Sequence, residues 1–216
     1  ADRAGGDGRQ VLTALEVACA LAHPGRVELE HVEAALGTSA LRYGRDDHYD
    51  VISAFIKSMR GSDPQAAVYY LARMLEAGED ARFIARRMII FASEDVGLAD
   101  PMALLTAVAA AQAVEHAGLP EAQLNLSQAA IHLATAPKSN RAALAIWNAR
   151  EDVRNGAVGE VPPHLRDAHY QGAGSLGHGV GYEYPHDHPG GWVAQQYLPA
   201  EQAGRRYYEP SAHGHE

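Results

Sequence analysis

Histidines, carboxylates and cations cluster at several places in the sequence. His186-Asp187-His188, with His178 nearby, offers imidazole and carboxylate donors suited to zinc or iron. Adjacent residues on an extended segment point to opposite faces, and Pro185 and Pro189 bracket a turn. Turn hydrogen bonding is therefore the stronger reading, and His213 and His215 are expected to be exposed and inert. Ser93-Glu94-Asp95 places two carboxylates together, as general acid–base work would need. They fall at an expected helix end, where polar caps are routine. The glycine-rich stretch GAGSLGHGVG at 172–181 lacks a lysine after its glycines and does not open a helix, so it is not a phosphate loop. Lys57, Arg60, Arg86 and Arg87 are the best cations for a nucleic-acid or partner contact. Lys57 and Arg60 sit at i,i+3 on one helix face. A solvated face or an ion pair between subunits is the plainer reading of these four.

The elements that must position these groups are helices. Apolar residues recur at helical spacing from Gly8 to Ala22, and a short helix follows near Leu29–Leu36. Asp7 is a candidate N-cap for the first. Residues 37–47 are polar and read as loop. Further helices are expected over 49–59, 64–77, 81–91, 101–117, 120–134 and 140–154. Gly61 and Gly78 mark C-termini, and Asp63-Pro64 and Asp80 mark N-termini. The stretch from Met102 to Val114 is apolar nearly all round, which fits a central core helix or a subunit interface.

Composition changes near residue 155. Residues 156–216 carry 11 of the 21 glycines, 6 of the 11 prolines and 6 of the 10 tyrosines. This predicts loops, turns and short strands: Val180–Tyr184 alternates, and Trp192–Tyr197 is placed to pair with it. The aromatic rings are expected to bury themselves as the tail wraps the helices. The expected fold class is therefore mainly α, a helical array with an irregular, aromatic-rich C-terminal tail containing short strands.

The balance of 18 Lys+Arg against 27 Asp+Glu gives a net charge of −9, so bulk charge provides no footprint for nucleic acid. No apolar run is long enough to span a bilayer and no secretory signal opens the sequence. One cysteine, Cys19, excludes an internal disulfide. The chain reads as cytoplasmic, with no membrane partner.

Three collinear stretches resemble one family. They are HYDVISAFIKSMRGSDPQAAVYYLARMLEAGEDARFIARRMIIFASEDVGLADP at 48–101, LATAPKSN at 133–140 and HDHPGGWVAQQYLPAEQAGRRYYEP at 186–210. Together they are similar to the C-terminal part of the replication-associated recombination protein A family, also called MgsA, bacterial AAA+ ATPases related to clamp loaders. Gly6-Asp7-Gly8-Arg9 resembles the GD-x-R sensor-2 motif of the AAA+ lid, although Gln10 stands where a second arginine is common.

The resemblance implies three parts: a lid remnant at 1–40, a helical oligomerisation domain at 41–155 resembling a clamp-loader collar, and an extension at 156–216. It implies no catalytic residue, metal or cofactor in this piece, since Walker A and B are missing. Arg9 would meet ATP only beside the ATPase core, and ATP and Mg²⁺ belong to the longer parent. It further implies a homotetramer. Single-stranded-DNA-binding protein and fork DNA are the implied partners of the parent, which would work at replication forks in the nucleoid.

Overall fold

The computed structural model describes residues 8–35 and 45–216. Eight α-helices are present among them: α1 Gly8–Ala22, α2 Leu29–Ala35, α3 Arg45–Arg60, α4 Pro64–Glu76, α5 Ala81–Phe91, α6 Met102–His116, α7 Ala122–Thr135 and α8 Arg141–Arg154. Asp7, Gly6 and most of the expected 37–47 loop lie outside the described residues. α3 starts at Arg45, earlier than the apolar pattern indicates.

The capping chemistry follows the sequence closely. Asp63 accepts from the Ala66 amide at 3.0 Å with Pro64 in the first turn of α4, and Asp80 accepts from the Arg82 amide at 2.9 Å. α4 ends in a Schellman motif with Gly78 left-handed at φ 78°. The same motif closes α3, but its left-handed residue is Ser62 (φ 59°) and not Gly61. The Ser62 amide bonds to Met59 and the Asp63 amide to Ser58.

Two compact units divide the chain: residues 1–140 together with 211–216, and residues 141–210. In the first, α3 to α7 surround one core whose largest fully buried side chains include Phe55, Met59, Ile84, Met88, Phe91, Leu126 and Leu133. Burying each is worth roughly 1.5–3 kcal/mol. α1 packs on α2 through a buried row of Ala14, Ala18 and Ala22. α5 runs into a π-helical turn, Ala92–Val96, which ends at Gly97 (φ 54°, ψ −135°). A Cβ at Gly97 would stand 2.7 Å from the Ser139 carbonyl oxygen, so only glycine allows this approach.

The second unit corrects the expected tail. Its described residues contain α8 and five short 3₁₀ turns, and no β-strand. The two segments expected to form strands do meet, through a side chain instead of a backbone ladder. Gln195 accepts from the Glu183 amide at 3.3 Å and donates to the Glu183 carbonyl at 2.7 Å. Pro185 and Pro189 remove ladder donors, and Gly179 and Gly181 turn the chain at positive φ. The rings do not cluster or bury either: Trp192 is 72% exposed, and Tyr182, Tyr184, Tyr197 and Tyr208 are all exposed. Ala173 is the unit's one buried apolar residue, so the rings have no core to enter. What fixes this unit locally is polar. Asp152 on α8 accepts from the Tyr207 hydroxyl at 3.1 Å and pairs with Arg205 at 3.3 Å. Burial, with the Asp152 carboxylate, raises the Tyr207 phenol above its usual pKa.

Candidate assembly surface

α6 inverts the usual helix. Its buried positions are Ala103, Ala107, Ala110 and Val114, mostly the smallest apolar side chains it has. Its larger ones face outward: Met102 is 56% exposed and Leu105 59%, with Leu104 and Val108 also exposed. The alanines let the helix approach α5 and α7 closely. The sequence is apolar all round because both faces are used, one for the core and one turned to the surface.

Polar contacts at both ends hold α6 in that orientation. Asp100 accepts from the Met102 amide at 3.0 Å, and its other oxygen lies 2.9 Å from His132 Nε2 on α7, near enough for an ion pair when the imidazole is protonated but not aligned as a hydrogen bond. Near the C-terminus Glu115 receives Arg82 of α5 at 2.7–2.8 Å. On α7, Leu124 and Ile131 are likewise exposed.

The cations singled out from sequence have different fates. Arg60 grips Asp95 with two prongs, Nε to Oδ1 at 2.5 Å and Nη2 to Oδ2 at 3.0 Å. That hydrogen bond raises the Arg60 pKa, and it occupies the Asp95 carboxylate that the Ser93-Glu94-Asp95 group would need for acid–base work. Lys57 is exposed, Arg86 lies over the Phe83 ring at 6.0 Å, and Arg87 is half-buried with its Nε lacking a hydrogen-bond partner. Arg9 lies in the first turn of α1, and its side chain is outside the described residues.

Sequence reading passed over Lys138. Its ammonium donates to the carbonyls of Ala134 (2.9 Å) and Ala136 (2.6 Å) at the end of α7 and to Ser62 Oγ (3.2 Å). Burial lowers its pKa, and nearby Asp95 pulls it back. A lysine just after a helix C-terminus was the available signal.

The histidines and the glycine-rich loop are structural. His178 shares a 2.6 Å hydrogen bond with the Tyr170 hydroxyl, and His188 lies 3.6 Å from Glu183. His186 packs against the Tyr184 ring, 5.1 Å between centroids. No group of three or more His, Cys, Asp or Glu among the described residues is placed to hold a metal ion. Within residues 172–181, Ala173–Leu176 form a 3₁₀ turn and the Gly179 amide is bonded to the Pro163 carbonyl, so no α-helix N-terminus is offered to a phosphate. His213 and His215 are exposed, as expected, but the His213 ring is not idle: its Nδ1 donates to the Lys138 carbonyl at 2.9 Å, while His215 is held through its backbone amide, which donates to the Ala99 carbonyl at 2.9 Å. Among the described residues no helix is long and apolar enough to cross a membrane.

Comparison with known proteins places the chain in a family. The family described as MgsA AAA+ ATPase C terminal matches residues 61–216, and the AAA C-terminal domain matches residues 1–60. An uncharacterized AAA domain-containing protein of Mycobacterium tuberculosis is 56% identical over 99% of this chain and 48% of its own length. Replication-associated recombination protein A of Bacillus subtilis is 47% identical over 97% of this chain and 51% of its own. Its namesake in Escherichia coli K12 is 39% identical over 99% and 50%. The chain thus spans about half the length of these relatives. It belongs to the MgsA family of AAA+ ATPases, the replication-associated recombination proteins, and corresponds to their C-terminal region beyond the Walker motifs.

Proposed function

We propose that this chain is the assembly domain of its parent ATPase, bringing four copies together through the outward face of α6. The observation that carries this reading is the inversion of that helix, with alanines inside and Met102, Leu104, Leu105 and Val108 outside. A contiguous apolar face on a soluble domain marks an interaction surface, and a contact repeated head to tail from copy to copy closes a symmetric ring. A stable interface needs about 800 Å² per partner, more than one helix face supplies, so the exposed Leu124 and Ile131 of α7 would extend it. Sedimentation of the chain and of a Leu105→Glu variant tests the reading.

In this reading residues 1–40 are the remnant of the lid, 41–155 the helical assembly domain and 156–216 an extension. The parent hydrolyses ATP with Mg²⁺ in its missing core, where Arg9 faces the terminal phosphate, and it works in the cytoplasm at replication forks. Single-stranded-DNA-binding protein and fork DNA are its partners. No nucleotide step is assigned to the described residues, which supply neither a phosphate loop nor a metal-holding acid.

A second reading is a DNA- or partner-binding module. It is favoured by Lys57, Arg86 and Arg87, which make no ion pair among the described residues, and opposed by the net charge of −9. Titration of forked DNA across salt concentrations separates the two, since phosphate contacts weaken steeply with salt.

A further inference from the structure

The chain leaves its first compact unit after Asn140 and re-enters it at Ser211. Residues 211–216 then occupy a groove between Gly97–Ala99 and Pro137–Ser139. The contacts are specific. One carboxylate oxygen, Glu216 Oε2, accepts from Ser139 Oγ at 2.5 Å, from Ser211 Oγ at 2.5 Å and from the Ser211 amide at 3.0 Å. The His215 amide donates to the Ala99 carbonyl, and His213 Nδ1 to the Lys138 carbonyl, each at 2.9 Å. Ser139 is buried. Gly214 sits at φ 60°, where a Cβ would overlap the Ala99 carbonyl oxygen and come within 2.7 Å of the Pro137 ring. The groove itself is shaped by the glycine-only approach of Gly97 to the Ser139 carbonyl.

We propose that this groove is a peptide-binding site whose ligand class is a short acidic peptide of the form Gly-x-Glu, filled here in cis by Ser211–Glu216. Three features define the ligand. Lack of space at Ala99 selects glycine. The buried Ser139 hydroxyl selects a carboxylate two residues later, through hydrogen bonds in the short charge-assisted range. The backbone carbonyls of Ala99 and Lys138, which accept from the His215 amide and His213 Nδ1, fix the path between. Ser139 and Ser211 are far apart in sequence and the same carboxylate holds both, so residues 211–216 act as a releasable strap within the first unit. This inference is independent of the assembly reading, because none of its residues lies on the outward face of α6.

The test uses the full chain and a fluorescent peptide with the sequence of residues 211–216. Gly214→Ala should expel the strap: exchange of the His215 amide proton should rise at least about tenfold, the equivalent of one ordinary net hydrogen bond. The labelled peptide should then bind the variant and not the wild-type chain, whose groove is filled. A peptide carrying the Gly214→Ala change should bind neither. Glu216→Gln, a gentler substitution, should raise exchange at Ser211 and His215 with helical content unchanged. Unchanged exchange in both variants, or a peptide that fails to bind the Gly214→Ala chain, would overturn the proposal.

Discussion

Arg60 at the end of α3 and Asp95 in the π-helical turn after α5, 35 positions apart in sequence, form a two-pronged ion pair. Asp95 is only 13% exposed whereas Arg60 is 48% exposed, so the pair joins a nearly buried carboxylate to a half-solvated cation. Its worth is limited by screening on the arginine side. Arg60→Ala should therefore cost about 1 kcal/mol, read as a lower urea midpoint, and Arg60→Lys should recover only part because it cannot fork. An unchanged midpoint in Arg60→Ala would show that the pair is incidental.

Lys138 should matter more than its exposed neighbours. Lys138→Met keeps the stem but leaves two carbonyls at the end of α7 without their donor, at a cost of about 1–3 kcal/mol. Lys57→Met, at an exposed position with no ion pair among the described residues, should shift thermal unfolding within error. Equal shifts for the two variants would contradict this.

Gly97→Ala should be among the most damaging single changes in the first unit. Its backbone lies in a region that is essentially glycine-only, and the added methyl group would meet the Ser139 carbonyl oxygen. Strain of that kind costs about 1–3 kcal/mol before the clash is counted. Gly174→Ala, where an added Cβ meets nothing within 4 Å, is the control. Denaturant unfolding monitored by circular dichroism measures both.

These sites show how far the sequence could be read. Helices α4 and α5 were legible because capping is local: Asp63, Pro64, Asp80 and Gly78 act on amides and carbonyls within a few residues. The partner of Arg60 was not legible, because Asp95 is brought to it by the fold. Alternation around Tyr182 suggested a strand, yet the neighbouring prolines and glycines forbid a ladder and Gln195 pairs in its place. Aromatic content alone indicates burial, but most rings of residues 170–208 stay exposed because Ala173 is the one buried apolar residue of their unit. For α6, apolar residues all round indicated a two-sided helix, but the small-in, large-out arrangement required the fold.

Arg9→Ala should leave the folding and assembly of this chain unchanged and lower ATP hydrolysis in the full-length parent, because a sensor arginine acts only with a phosphate opposite it. Turnover of the parent and the melting temperature of the chain check the two halves. A variant chain less stable by more than about 1 kcal/mol would assign Arg9 a structural role.

If the outward face of α6 joins copies of this chain, sedimentation equilibrium at micromolar concentration will show it. The wild-type chain should have the mass of four protomers, and Leu105→Glu, which places a charge on that face without touching the core, should have the mass of one with its helical content intact. A wild-type chain that sediments as a monomer, or a Leu105→Glu chain that still sediments as a tetramer, would contradict the account.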